Sequence, residues 1–121
     1  MLGLPCAAGN MSMNETYATV EPGRAEMDAL AGPAMIEFGS PWCGHCRAAQ
    51  PLIAAALESH PSVRHFKIAD GPGQPLGRSF KVKLWPTLIF LDSGKERSRL
   101  VRPTDPNEIA EAFAEIDTAS R

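Results

Sequence analysis

Two cysteines, three positions apart, carry the clearest chemical signal in this sequence. Cys43 and Cys46 lie in the stretch Phe38-Gly39-Ser40-Pro41-Trp42-Cys43-Gly44-His45-Cys46-Arg47. On one turn of a helix, two such thiols are close enough to form a small disulfide ring that opens and closes by thiolate attack. A Cys-x-x-Cys pair at a strand-to-helix turn is more often a redox centre than a metal site. We therefore predict that Cys43 and Cys46 form a redox-active disulfide.

The attacking sulfur must be a thiolate, and the predicted position of Cys43 favours one. Unsatisfied N–H groups and the positive end of the helix dipole lower the pKa of such a thiol from about 8.5 to between about 3.5 and 7.5. His45 adds a positive charge or a hydrogen bond nearby. A stabilised thiolate makes the disulfide a better oxidant. Cys46, one turn into the helix, is expected to be shielded and to resolve a mixed disulfide formed on Cys43.

The elements that must position the two thiols can be read from hydrophobic periodicity and turn residues. The pattern predicts helices over residues 24–31, 43–59 and 76–80, strands over 34–38, 63–69, 87–91 and 97–101, and a last helix capped by Asp105. Pro51 lies inside the second helix, whose apolar periodicity continues beyond it. A helical crossover makes the first two strands parallel, and the last two form a hairpin. The predicted fold is α/β, with a mixed central sheet and helices on both faces.

Length and composition limit the possible classes of protein. The chain has 121 residues, which suits one domain, and a net charge of −2, which argues against nucleic acid. It lacks an apolar run of the roughly 18 residues that a membrane span needs. Residues 1–22 are polar and aperiodic and are predicted to be a disordered tail before a domain over 23–119. We expect a cytoplasmic monomer, or a periplasmic or secretory protein if a leader was removed.

A zinc site is the main alternative for the cysteine pair. It would need two further ligands. Cys6, His60 and His65 are the available candidates, and their spacing fits no zinc motif. We therefore predict no metal, and we interpret His60 and His65 as surface residues and Cys6 as an incidental thiol.

With these residues in place, the sequence resembles the thioredoxin family over about residues 24–118. Trp42-Cys43-Gly44-His45-Cys46 looks like the active-site motif of protein disulfide isomerase domains. Pro51 falls where thioredoxins kink the active-site helix, and Trp85-Pro86-Thr87 looks like the loop that holds the family's cis-proline. Glu37 stands six residues before Cys43, where thioredoxins usually carry a buried aspartate. The resemblance implies a thioredoxin-like three-layer sandwich.

The resemblance also implies a function. It predicts a thiol–disulfide oxidoreductase that reduces, forms or exchanges protein disulfides, without a bound cofactor and with a reductase or small thiols as electron donor. The histidine within the motif favours a potential nearer to that of the isomerase, about −180 mV, than to that of thioredoxin, about −270 mV. The alternative is a non-catalytic thioredoxin-like module for binding or chaperoning.

Further site residues follow from the resemblance. Glu37 is expected to accept the proton of Cys46, with Lys67 near its carboxylate. Pro86 is expected to be cis, and Trp42, Gly44, Trp85 and Pro86 to bind the substrate, Trp42 as an exposed wall of the groove. Two departures concern this groove: the large Trp85 precedes the proline, and Arg102 falls roughly where thioredoxins have a glycine.

Overall fold

A four-stranded mixed sheet forms the centre of the protein in a computed structural model that describes residues 16–117. In chain order, the elements are α1 (Arg24–Asp28), β1 (Pro33–Gly39), α2 (Gly44–Ser59), β2 (Arg64–Ala69), α3 (Pro75–Ser79), β3 (Thr87–Asp92), β4 (Lys95–Val101) and α4 (Pro106–Ile116). The predicted order of helices and strands is confirmed. The first helix ends at Asp28 rather than at residue 31, and Ala29 is its C-cap.

The strands lie in the order β2-β1-β3-β4. β1 and β2 are parallel and joined by α2, whereas β1 with β3 and β3 with β4 are antiparallel. The β3–β4 hairpin turns at Ser93 and Gly94, whose φ angles of 53° and 81° suit a two-residue turn. The parallel register pairs Glu37 with Lys67. This register brings two charged residues of the site side by side.

β1 is buried on both faces because helices cover both sides of the sheet. Met35 packs into a core with α2 and α4, whereas Ile36 and Phe38 pack with α1 and α3 on the other face. Glu37 shares the face of Met35, since side chains alternate along a strand. The α/β three-layer prediction is therefore confirmed, and Glu37 lies on the side of the active-site helix.

The two long helices follow the predicted patterns. α2 continues through Pro51 to Ser59, and its buried side chains include Ala49, Ile53 and Leu57. Asp105 caps α4, because its carboxylate accepts a hydrogen bond of 2.9 Å from the N–H of Asn107. The buried stripe of α4 is the predicted one: Ile109, Ala112, Phe113 and Ile116. Within residues 16–117, none of the helices is long and apolar enough to cross a bilayer.

Residues 16–22 contact the domain, which corrects part of the predicted tail. The N–H of Ala18 donates to the Lys67 carbonyl at 2.9 Å, and Glu21 Oε1 accepts from the N–H of Leu76 at 3.0 Å. Composition identified this stretch as polar but could not reveal partners some 50 residues away. Residues 1–15, which include Cys6, and residues 118–121 lie outside the described part.

The prediction that His60 and His65 lie on the surface is wrong. Both are buried, at 8 % and 4 % exposure. His65 Nε2 lies 2.9 Å from Glu37 Oε1, and His60 Nδ1 lies 2.6 Å from Asp117 Oδ2. Each imidazole is stabilised inside by a carboxylate far away in the sequence, and such a partner cannot be seen from local pattern.

Candidate active site

Cys43 is the N-cap residue of α2, as the strand-to-helix turn predicted. β1 ends at Gly39, and the turn is held by a 3.2 Å hydrogen bond from the N–H of Cys43 to the Ser40 carbonyl. Cys43 Sγ in turn accepts the N–H of Cys46 at 3.1 Å. The thiol is partly exposed. An accessible sulfur therefore lies at the positive end of the helix, where an N–H group points at it.

Cys46 has a different environment, although it lies one turn away. Only 2 % of its surface is exposed. Burial, and next the hydrogen bond with Cys43, raise the pKa of the Cys46 thiol to about 12. Cys46 is therefore a protonated thiol near neutral pH, and it needs a proton acceptor before it can attack.

Glu37 lies fully buried beneath α2, at 0 % exposure. Its Oε2 accepts a hydrogen bond of 2.7 Å from Gln50 Nε2, and the same nitrogen donates to the Cys46 carbonyl at 2.9 Å. The carboxylate is thus linked to the backbone of the buried cysteine through one amide. Gln50 follows Cys46 by four residues, so both lie on the same face of the helix.

Two basic side chains of β2 complete the buried network. His65 Nε2 lies 2.9 Å from Glu37 Oε1. Lys67 Nζ donates to Gln50 Oε1 at 2.9 Å and lies 4.0 Å from Glu37 Oε2, so the predicted proximity of Lys67 to Glu37 is confirmed. The network offers hydrogen-bond partners to both carboxylate oxygens, which a charge away from water requires.

The loop before β3 faces Cys43. The Trp85–Pro86 peptide bond is cis, as the resemblance implied. The Trp85 carbonyl accepts a hydrogen bond from Cys43 Sγ at 3.8 Å. The indole Nε1 of Trp85 donates to Asp70 Oδ2 at 2.9 Å, which fixes the large side chain. The departure from the smaller residue usual here is therefore accommodated by a carboxylate at the end of β2.

Arg102 forms the opposite side of this loop. Its N–H donates to the Pro86 carbonyl at 2.8 Å, and its Nε donates to the Trp85 carbonyl at 2.9 Å. Its φ angle is 50°, in the left-handed region that favours glycine. Arg102 therefore keeps the backbone shape that a glycine would adopt and adds a guanidinium beside the carbonyl nearest to Cys43.

The remaining predicted residues lie at the surface around the thiol. Trp42 is 86 % exposed, so the alternative of a core tryptophan is excluded. Gly44 is the first residue of α2 and is exposed. His45 is exposed and, with Arg102, lines a cavity of about 170 Å³ that Ala48, Leu52, Pro103 and Thr104 complete.

Three residues near the thiols were not singled out in the sequence: Tyr17, Gln50 and Asp70. Gln50 could have been found from its spacing to Cys46 on α2. Asp70 reaches Trp85 from the position directly after β2, and Tyr17 comes from the stretch interpreted as tail. Across residues 16–117, no group of three or more histidines, cysteines and acidic residues is arranged to hold a metal ion.

The geometry alone defines the class of this site. It is a dithiol centre at the start of a helix, with one accessible and one buried sulfur, facing a cis-proline loop in an α/β sandwich. The thioredoxin family model matches residues 23–115. The chain belongs to the thioredoxin family, whose members include thiol–disulfide oxidoreductases.

Individual relatives agree with this assignment. Protein disulfide-isomerase A2 of Pongo abelii is 42 % identical over 85 residues, which cover 67 % of this chain and 16 % of that protein. Thioredoxin-2 of Saccharomyces cerevisiae is 30 % identical over 80 residues, covering 66 % of this chain and 76 % of that protein. The solved structure of reduced thioredoxin 2 from Pseudomonas aeruginosa PAO1 is 50 % identical, with a TM-score of 0.78, covering 88 % of this chain and 99 % of that chain.

Proposed function

We propose that this protein is a thiol–disulfide oxidoreductase acting on protein disulfides through Cys43 and Cys46. One observation carries the proposal: an accessible sulfur at the N-terminus of α2 accepts the N–H of a buried second cysteine and faces the Trp85 carbonyl. Two inert core thiols would need neither the exposure of Cys43 nor a loop opposite it.

In the reducing direction, the Cys43 thiolate attacks one sulfur of a substrate disulfide. The substrate S–S bond breaks, a Cys43–substrate disulfide forms, and the first substrate thiolate leaves. Cys46 then attacks Cys43 Sγ, which forms the Cys43–Cys46 disulfide and releases the second substrate thiolate. Two electrons pass from the dithiol to the substrate, and the same steps in reverse oxidise a substrate dithiol.

Deprotonation of Cys46 is the step that its burial makes difficult. We assign the role of proton acceptor to Glu37, whose carboxylate is joined to the Cys46 backbone through Gln50. A cavity of about 170 Å³ opens beside Cys46 and is large enough for water to carry the proton. The fixed position of the carboxylate supports general base catalysis.

The substrate peptide is proposed to bind along the loop that faces Cys43. An extended chain would pair with the Trp85 backbone, in the manner of an added strand, and rest against Pro86. Trp42 and Gly44 would form the wall on the α2 side, because both are exposed next to the thiol. His45 would supply positive charge or a hydrogen bond near the Cys43 thiolate.

We further propose four features of the cellular setting of this protein. They are a potential nearer to that of an isomerase, electron exchange with a reductase or small thiols, a cytoplasmic location and a monomeric state. The chain spans about one sixth of the length of the disulfide isomerases that it matches.

A redox titration tests the proposal. The Cys6→Ser protein, in which only the two motif thiols remain, is equilibrated in graded glutathione buffers, and free thiols are alkylated and counted by mass spectrometry. We expect one reversible two-thiol transition, with a midpoint nearer to about −180 mV than to about −270 mV.

Two outcomes would contradict the proposal. If both thiols stayed reduced across the range, the dithiol would not form the predicted couple. If the Cys43→Ser/Cys46→Ser protein retained every interaction of the unmodified protein and the titration showed no transition, a binding module would be the better explanation. A midpoint near about −270 mV would keep the proposal but assign the protein to the reducing end of the family.

A further inference from the structure

Tyr17 lies over the buried sulfur, although it belongs to the segment before the first helix. Its side chain lines the cavity beside Cys46, and its hydroxyl and the Cys46 thiol both lie next to Gly39, close enough to interact. Residue 17 precedes the stretch that the family model matches, residues 23–115. The contact therefore adds a group to the dithiol centre from outside the matched part of the chain.

Space for this contact is left by Gly39 at the end of β1. A Cβ atom at this position would lie 2.6 Å from Cys46 Sγ and 3.0 Å from the Tyr17 hydroxyl oxygen. Both distances are shorter than ordinary contacts, so a side chain would push one of these groups away. The glycine thus permits the sulfur, the hydroxyl and the strand to approach one another.

The segment that carries Tyr17 is held by one contact at the tyrosine ring and by two hydrogen bonds of the residues that follow it. The N–H of Ala18 donates to the Lys67 carbonyl at 2.9 Å, and the Lys67 ammonium lies 4.9 Å from the centre of the ring. Four residues further on, Glu21 accepts the N–H of Leu76. These contacts fix the direction of the hydroxyl, since the backbone next to Tyr17 is anchored to β2.

The hydroxyl stays protonated throughout the working pH range. Burial, followed by the negative charges of Cys46 and Glu37, raises the pKa of Tyr17 above its ordinary value. A phenol that keeps its proton is a hydrogen-bond donor to a thiolate, and it has no tendency to remove a proton from Cys46. The other charged or titratable groups around Cys46 are Cys43 on the N-cap, Glu37 on β1, Arg47 on α2 and Lys67 on β2.

We propose that Tyr17 donates its hydrogen bond to the Cys46 thiolate and thereby speeds the attack of Cys46 on the mixed disulfide. This inference rests on the proposed function. In this step Cys46 Sγ bonds to Cys43 Sγ, the bond from Cys43 to the substrate sulfur breaks, and the substrate leaves as a thiolate. Tyr17 keeps its proton, and the proton of Cys46 goes to Glu37 or to water.

The two steps can be followed separately with the disulfide 5,5′-dithiobis(2-nitrobenzoate) as substrate. One molar equivalent is mixed with the reduced Cys6→Ser protein. Attack by Cys43 releases one coloured thiolate at a rate that depends on concentration. Attack by Cys46 on the mixed disulfide releases the second at a rate that does not. Stopped-flow absorbance between pH 6 and 10 therefore gives both rates and their pH dependence.

In the Tyr17→Phe protein we expect an unchanged first phase and a second phase slowed about threefold. A loss of one pKa unit in thiolate stability lowers the thiolate fraction tenfold, while the more basic thiolate regains about threefold in nucleophilicity. The pH profile of the second phase should move to higher pH, because the charged form of Cys46 has lost a donor. Val20→Ala, at an 80 % exposed position of the same segment, should change neither phase.

An unchanged second phase in Tyr17→Phe would overturn the inference, and so would a profile that moves to lower pH, since Tyr17 would then hold the proton on the thiol. Equal slowing of both phases would also overturn it, because that result indicates a general distortion of the site. Failure of the proposed function is recognised separately: the Cys6→Ser parent would then release no second coloured thiolate.

Discussion

The surroundings of Cys43 and Cys46 differ more than their separation of one helical turn suggests. Cys43 meets solvent, an N–H group of α2 and the Trp85 carbonyl. Cys46 meets a buried network of Glu37 and its partners on α2 and β2, and the hydroxyl of Tyr17. One sulfur is arranged for encounters with other molecules, and the other for reaction inside the protein.

This contrast shows how one short motif yields two reactivities. The first thiol is accessible at the start of α2, whereas burial holds the proton on the second. The second thiol then becomes reactive only where a base and hydrogen-bond donors are fixed nearby. The difference in burial therefore sets the order of the two steps. Variants that alter the surroundings of Cys43 should fail at the first step, and variants that alter the surroundings of Cys46 should fail at the second.

Replacement of either cysteine by serine should have the largest effect on disulfide reductase activity. We expect Cys43→Ser to lose disulfide reductase activity altogether, because the accessible nucleophile is gone. Cys46→Ser should still attack substrates but should accumulate mixed disulfides on Cys43, since resolution is lost. Non-reducing mass spectrometry after mixing with a disulfide-bonded protein distinguishes the two. Turnover by Cys43→Ser would show that the roles are assigned wrongly.

Removal of the buried carboxylate should give the next largest effect, and on the Cys46 side alone. We expect Glu37→Gln to slow the release of the second coloured thiolate about a hundredfold, because a general base contributes at least this much. The variant should also lower the free energy of unfolding in urea by about 2 kcal/mol, because a neutral amide weakens the hydrogen bonds with His65 and Gln50 and removes the ion pair with Lys67.

Glu58→Gln, at an exposed position of α2, serves as the control and should leave the rate and the unfolding midpoint unchanged. If Glu37→Gln resolved the mixed disulfide as fast as the parent protein, Glu37 would have only a structural role.

The smallest effect is expected on the Cys43 side, at Arg102. Arg102→Gly and Arg102→Ala both remove the guanidinium from the Trp85 carbonyl, so they differ mainly in backbone freedom at a φ of 50°. We expect the glycine variant to be more stable in urea by ~1 kcal/mol, because a Cβ is disfavoured there. Equal stability of the two variants would mean that the left-handed conformation stores no strain.

Local pattern was sufficient for the elements that place the thiols. The short apolar run that makes β1 a buried strand, the periodicity of α2 through Pro51 and the Asp105-Pro106 start of α4 all depend on neighbours within a few residues. The position of Cys43 at the N-cap followed from these elements, and so did the parallel pairing of β1 with β2. The exposure of Trp42 and the cis bond before Pro86 came from the family resemblance.

Contacts between residues that are distant in sequence could not be predicted from local pattern. His60 lies against Asp117 and His65 against Glu37, and both histidines had been interpreted as surface residues because polar residues usually are. Tyr17 was assigned to a tail on composition alone. In each case, the residue is held in its position by a hydrogen bond between residues that are far apart in sequence.

The segment that brings Tyr17 to the dithiol centre also has a consequence for aggregation. β2 is the outer strand on its side of the sheet, and an uncovered outer strand invites pairing with another chain. The hydrogen bond from Ala18 to Lys67 occupies part of that edge, whereas β4 on the far side bears Lys95, Glu96, Arg97 and Arg99. A variant that begins at residue 23 would lack this hydrogen bond and would expose the edge of β2. We expect self-association at high protein concentration to be the first measurable consequence.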